Sequence, residues 1–242
     1  MEGSKPTTKD SLGSSEPKST HTDREAAPMS SSNVILYDLP SKQGTAWSLN
    51  PWKSTRHTHA FPTGQAADTS LPARMILNYK GIPYTTQWVE YPDLAPTLAS
   101  LGLPPNPRDG PGYFADYSSP AIRYADGRHA MDSWPIAHEL EKQYPAPSLH
   151  LDDGIVAQVR DLTAVFAAPL RAHMIPRVPL LLPARSAAYF HETREAAFGK
   201  ALEDVAREAG EANWEQARPP AEAMGDLLRR HGGPFFLGTT GE

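Results

Sequence analysis

Apolar runs and apolar positions at helical spacing divide this chain into two kinds of territory. Val34 to Tyr37 is a short apolar run closed by Asp38, Pro40 and Gly44, which predicts a buried, central first strand. An apolar helical run from Arg74 ends in the turn Gly81-Ile82-Pro83-Tyr84. Thr85 to Tyr91 alternates and predicts a second strand, and the Pro-rich loop from Pro92 to Gly112 leaves room for one short helix around Leu94 to Leu101. Ala121 to Ala125 and Arg128 to Met131 are half-apolar runs separated by Asp126-Gly127, a dipeptide that supplies positive φ at a tight turn, so they predict an antiparallel hairpin. A helix follows directly. Ser133 is the expected N-cap, Trp134 and Pro135 suit a first turn, and Ile136, Leu140 and Tyr144 share one face before Pro145 ends it.

Beyond Pro145 the strand signals stop. Ile155, Val159, Leu162 and Phe166 form one apolar stripe. Ser186 is expected to cap a second run in which Tyr189, Phe190, Ala197, Leu202 and Val205 dominate, and a short helix is expected from Ala221 to Arg230, after Pro219-Pro220. The order is strand, helix, strand, loop and helix, hairpin, helix, and then helices alone. That order predicts an α/β half built on a four-stranded mixed sheet and an all-α half.

Composition changes this picture little. The 242 residues are 39% apolar and 21% charged, as in an ordinary globular chain, and suffice for two domains. A net charge of −5 gives no basic excess, so nucleic acid and anionic membranes are not expected partners. The absence of cysteine removes disulfides, thiolate metal sites and a cysteine nucleophile, and suits a reducing, cytoplasmic setting. No apolar run approaches the roughly 20 residues that span a bilayer. Residues 1–32 are Ser, Thr, Lys, Glu, Asp and Pro with almost nothing apolar, and read as a disordered tail without the apolar centre of a signal peptide.

The candidate chemistry lies around the hairpin. A strand that opens at Pro120, an Asp-Gly hairpin, and a helix whose N-terminus sits where the second strand ends together make a geometry for holding a small anion. Taken singly, Ser133 would be a helix cap and Pro120 an edge-strand proline; both at this spacing around one hairpin favour a ligand site. Ser119-Pro120-Ala121-Ile122 and Met131-Asp132-Ser133-Trp134-Pro135-Ile136-Ala137 resemble the second half of the thioredoxin-like domain of glutathione transferases. The resemblance implies that Pro120 is cis, that the backbone of Ser119 pairs with the cysteinyl part of glutathione, and that Asp132 and Ser133 grip its γ-glutamyl end. Upstream, the Leu-Tyr-Asp-Leu strand, a Gly loop, and Ser48, Pro51 and Trp52-Lys53 at a helix entrance are similar to the etherase-like branch, including its fungal members. There the matching serine stands next to the glutathione sulfur. Ser48 is therefore the expected thiol-activating residue, with Asn50 as a second donor. Relatives commonly carry Pro directly after this serine, whereas this chain has Leu49 and places Pro at position 51.

The implied mechanism asks little of the protein. A free thiol of pKa near 8.5 is only a few per cent thiolate at neutral pH, and a hydroxyl donor with the positive end of a helix dipole favours the anion. The resemblance implies a thioredoxin-like domain over 33–145, a helical C-terminal domain over 146–242 that supplies a pocket for a small hydrophobic acceptor, and, by analogy, a homodimer. No metal is expected; His57 and His59 lack nearby acidic or cysteine partners and read as loop histidines.

Two departures stand out. About twenty residues from Ser54 to Pro72 interrupt the family's first helix, show no period, and read as a disordered insertion from an unremoved intron or a mispredicted splice site. At the other end, Phe235-Phe236-Leu237 resembles the lead into a core helix, so the chain reads as truncated, with those side chains half exposed at a cost of about 3 to 6 kcal/mol. The expected function is a glutathione transferase acting on a small electrophile or aryl ether. The alternatives are a non-catalytic transferase-like scaffold or a defective splice product.

Overall fold

The computed structural model describes residues 34–46, 72–109, 115–233 and 235–236. Four strands form one mixed sheet in the order β2-β1-β3-β4. They are β1 (Val34–Asp38), β2 (Tyr84–Trp88), β3 (Ala121–Arg123) and β4 (His129–Met131). β1 runs parallel to β2, with Val34 opposite Tyr84, and antiparallel to β3, with Tyr37 opposite Ala121. β3 and β4 are antiparallel, with Ala121 opposite Met131. The expected four-stranded mixed sheet with a central first strand is what forms. The second strand stops at Trp88, short of the expected Tyr91, because Glu90 and Pro92 open a helix there.

Alternation along β1 sorts the helices onto two faces. Val34 and Leu36, with Ile122, meet Ala73 and Leu77 of α1 (Pro72–Tyr79) and Ile136 and Leu140 of α3 (Ser133–Gln143). Tyr37 and Ala121 meet Leu94 and Leu98 of α2 (Tyr91–Ser100). The result is a helix-sheet-helix sandwich. At the end of α1, Gly81 adopts φ 65° and the N–H of Ile82 bonds the carbonyl of Leu77 at 2.9 Å, a Schellman stop that also returns Ile82 to the core. Lys80 between them is wholly buried; its ammonium donates to Glu141 Oε2 at 2.6 Å and to the carbonyls of Tyr144 at 2.5 Å and Pro147 at 2.8 Å. All three of its protons are thereby placed, and α1 is tied to the end of α3.

The hairpin turn is looser than the dipeptide suggested. Gly127 has φ 85° while Asp126 stays out of the positive region, and Tyr124 N–H bonds the carbonyl of Arg128 at 2.8 Å across a three-residue loop. Asp126 instead accepts from Arg128 Nε at 2.7 Å, and Arg128 also reaches Glu139 on α3 at 2.5 Å.

The second half is helical: α4 (Ile155–Met174), a 3-10 segment (Ile175–Leu181), α5 (Ala184–Phe198), α6 (Leu202–Glu208) and α7 (Glu211–Arg229). α4 and α7 pack antiparallel. Ile155 and Val159 meet Leu227, while at the other end Asn213 Nδ2 donates to the carbonyl of Pro169 at 3.0 Å. Three sequence expectations are corrected here. The run from Ser186 to Val205 is two helices, parted at Gly199. Pro219-Pro220 lies inside α7 rather than before it, because burial of Ala217, Pro220 and Leu227 along one face outweighs the backbone hydrogen bonds the prolines delete. Ser186 does not cap its own helix, whose N-cap is Pro183; it turns toward α2.

That last contact joins the halves. Glu90, the N-cap of α2, accepts from the backbone N–H of Ser186 at 3.1 Å and from its hydroxyl at 2.9 Å. Ser186 Oγ in turn accepts from the N–H of Tyr91 at 3.1 Å. Leu39 joins Val178, Leu182, Phe190 and Leu202 in a shared core, and Arg185 pairs with Asp93. Near the end, Phe236 packs against the Ile155, Val159 and Leu227 cluster while Phe235 is 55% exposed. Leu237 lies outside the described residues.

Candidate functional site

Strand register brings three segments to one end of the sheet. Tyr37 faces Ala121 and Ala121 faces Met131, so the end of β1, the start of β3 and the end of β4 lie side by side. The N–H of Asp132 bonds the carbonyl of Pro120 at 3.0 Å, one step beyond the last ladder pair. Ser119, Pro120, Asp132 and Ser133 are thereby gathered. The Ser119-Pro120 peptide is cis. Behind it, Asn106 Nδ2 donates to the carbonyl of Ala115 at 3.0 Å and to Ser118 Oγ at 3.3 Å, bracing the approach to Ser119. Ser119 Oγ is buried and has no hydrogen-bond partner among the described residues.

Asp132, not Ser133, caps α3. Its backbone sits at φ 77°, which swings the carboxylate over the first turn, where Oδ1 accepts from the N–H of Trp134 at 3.2 Å. Ser133 is then the first helical residue, whose N–H has no partner within the helix. The correction sharpens the donor count. Pro135 has no N–H, Trp134 N–H is taken, and the Ser133 hydroxyl donates weakly to Asp132 Oδ1 at 3.5 Å, so the N–H of Ser133 is the first-turn donor left without a partner among the described residues. Asp132 is exposed and Ser133 half exposed. An acidic group beside a free N–H and a hydroxyl that can rotate from it to a ligand, at a helix N-terminus, can hold an ammonium and a carboxylate that belong to one ligand.

Other charges converge on this end. Trp134 lies edge-on to His138 at 4.9 Å, and the guanidinium of Arg160, from α4, stands 4.5 Å from the Trp134 ring centroid. At the end of β1, Asp38 is fully buried and pairs with Arg74 of α1 at 3.0 Å. Sequence reading took Asp38 only as the close of a strand and Arg74 only as part of a helical run. The available signal was a carboxylate flanked by Tyr37 and Leu39, a position that is costly unless a cation is near. From Asp38 the chain folds through a tight loop: Pro40 bridges Ala46, and Ser41 N–H bonds the carbonyl of Thr45 at 2.6 Å. Ser48 and Asn50 follow Ala46 and, like the segment 54–71, lie outside the described residues.

The helical half carries an apolar pocket of about 270 Å³ lined by Phe166, Ala221, Met224, Gly225, Leu228 and Phe236. Among the described residues, no group of three or more His, Asp or Glu side chains could hold a metal ion, and no helix is long and apolar enough to cross a membrane.

Known proteins resemble both halves. The family model of the glutathione S-transferase N-terminal domain matches residues 69–143, and that of the C-terminal domain matches 158–241. A glutathione S-transferase-like protein, ustS of Aspergillus flavus, is 33% identical over 186 residues; the match covers 69% of this chain and 66% of that protein's length. The glutathione transferase GSTFuA2 of Phanerochaete chrysosporium superposes with a TM-score of 0.68 at 31% identity, covering 87% of this chain and 79% of the other. CsGST63524 of Ceriporiopsis subvermispora, solved in complex with glutathione, superposes at 0.66 with 30% identity, covering 86% and 79%. With the sheet half and the helical half each matched, and the pair superposing on fungal transferases as one arrangement, the chain belongs to the glutathione S-transferase family.

Proposed function

We propose that this chain is a glutathione transferase that ionises the glutathione thiol and directs it at a small electrophilic or aryl-ether acceptor. The observation that carries the reading is the meeting of Pro120 and Asp132 at the same sheet end as the close of β1, with the unpartnered N–H of Ser133, and its hydroxyl 3.5 Å from Asp132 Oδ1, beside that exposed carboxylate. In this reading Asp132 pairs with the γ-glutamyl ammonium and Ser133 donates to its carboxylate. The backbone of Ser119, beside Pro120, pairs with the cysteinyl unit. Ser48 donates its hydroxyl to the sulfur, and Asn50 assists. The thiol loses its proton to solvent, and the thiolate forms a carbon–sulfur bond as the acceptor's leaving group departs with its electron pair. The sheet domain is taken as 33–145 and the helical domain, with the acceptor pocket, as 146–242.

The test is calorimetric titration of the chain with glutathione, followed by turnover of an aryl halide and of an aryl ether. Ser133→Ala is expected to weaken glutathione binding, and Ser48→Ala to lower turnover while leaving binding in place. Glutathione binding without any Ser48-dependent turnover would mark a scaffold rather than an enzyme. No binding by the wild-type chain would sink the assignment.

A further inference from the structure

We propose that Arg160, reaching across from the helical half, completes the grip on the γ-glutamyl end of glutathione by taking up its carboxylate; the proposal rests on the transferase reading. The need arises from charge. Asp132 is an exposed carboxylate, so it attracts the γ-glutamyl ammonium but repels the carboxylate carried on the same carbon. Glutathione brings two carboxylates and one ammonium, and the chain has a net charge of −5, so no long-range attraction favours their meeting. The Ser133 N–H and the partial positive charge at the start of α3 offset one ligand carboxylate only in part. The lysine of α3, Lys142, lies in the last turn, at the far end of the helix.

Arg160 is the cation that the fold brings to this terminus. Its guanidinium lies 4.5 Å from the ring centroid of Trp134, the residue directly after Ser133, and His138 meets the same ring at 4.9 Å and 78°. Stacking on an indole orients the planar fork without consuming its N–H donors. Nε and Nη2 stand 2.8 Å from Asp161 Oδ1, which leaves both protons of Nη1 without a partner among the described residues. The fold does not require this arrangement. Asp161 is the next residue on the same helix, and the two side chains are 48% and 67% exposed, so their ion pair adds little stability. A guanidinium aligned on a ring, with two donors to spare next to the open N–H of Ser133, suits a planar carboxylate. In this arrangement Asp132 takes the ammonium, and the Ser133 N–H and Arg160 Nη1 share the two carboxylate oxygens. Each charge of the γ-glutamyl end then meets its opposite.

The test separates that carboxylate from the rest of the ligand. Glutathione, and an analogue whose γ-glutamyl carboxylate is a primary amide, are titrated calorimetrically into wild type and Arg160→Gln, which keeps hydrogen bonding but drops the charge. The expected result is that Arg160→Gln binds glutathione about tenfold more weakly at an unchanged melting temperature, while the two proteins bind the amide analogue alike. Arg160→Lys keeps the charge without the planar fork; it is expected to recover part of the affinity for glutathione and to change nothing for the analogue. Equal glutathione affinity in wild type and Arg160→Gln, or an equal loss for both ligands, overturns the proposal and leaves the transferase reading standing. A wild-type chain that binds no glutathione overturns that reading and this proposal with it.

Discussion

Helices α2 and α3 start from nearly the same chemistry and spend it differently. Each has an acidic N-cap, Glu90 or Asp132, and a proline in its first turn, Pro92 or Pro135. In α2 every first-turn donor is used: Tyr91 N–H goes to Ser186 Oγ, Pro92 has none, and Asp93 N–H bonds the carbonyl of Glu90. The Glu90 carboxylate reaches out to cap α5 in the helical half. In α3 the acid turns back onto its own helix, accepting from Trp134 N–H and, at 3.5 Å, from the Ser133 hydroxyl, and the N–H of Ser133 is left without a partner among the described residues. One terminus is consumed by packing, and the other is the one that the proposed function assigns to glutathione. A helix N-terminus is therefore a site only when a count of its donors leaves some over.

The comparison can be broken most forcefully at Glu90. Glu90→Ala should remove about 3 kcal/mol of stability in denaturant unfolding, because two hydrogen bonds to a carboxylate vanish and the α5 terminus is left uncapped. Glutathione affinity should hardly move. Asp132→Ser sharpens the other side. Serine still caps, so stability should change by only about 0.5 kcal/mol, while loss of the carboxylate should weaken glutathione binding about tenfold by calorimetry.

A group under the same sheet gives a smaller effect of opposite sign. The Tyr124 hydroxyl is buried without a partner among the described residues, and burial pushes its pKa up to about 12, with Glu139 adding to the shift. A folded value raised above the usual 10 means that this contribution is complete below pH 10 and is lost as pH rises toward 12. Tyr124→Phe should be neutral or stabilising by up to about 1 kcal/mol at pH 7 and should flatten the alkaline loss in melting experiments from pH 9 to 12. The smallest effect belongs to the exposed Arg185–Asp93 pair beside Glu90. Arg185 holds the Asp93 carboxyl below its ordinary value, so its contribution is present above the unfolded carboxyl pKa and fades as pH falls below it. Asp93→Asn should change the melting temperature barely at all, and that small change should disappear in high salt.

What the sequence made legible follows the range of the forces involved. The hairpin and the helix after it were readable because strand alternation, the Asp126-Gly127 turn and the Ile136 and Leu140 spacing are all local. The sheet order followed from those elements and the resemblance together. The cap of α3 was misplaced by one residue, because the choice between Asp132 and Ser133 turns on a positive φ that composition does not announce. Contacts distant in sequence were not readable. Ser186 bonds Glu90 across 96 residues and Arg74 pairs with Asp38 across 36, and in both cases the tertiary partner redirects a side chain that looked local. Pro219-Pro220 misled for the same reason: packing against α4 keeps α7 helical through a signal that locally reads as a stop.

The central claim, that the α3 terminus holds glutathione while its α2 counterpart is structural, is tested most directly by titrating glutathione into wild type, Ser133→Ala and Ser186→Ala side by side in a calorimeter. The account predicts that Ser133→Ala binds about tenfold more weakly at unchanged melting temperature, and that Ser186→Ala melts lower but binds as wild type. Equal binding by wild type and Ser133→Ala, or no binding by wild type at all, would contradict it.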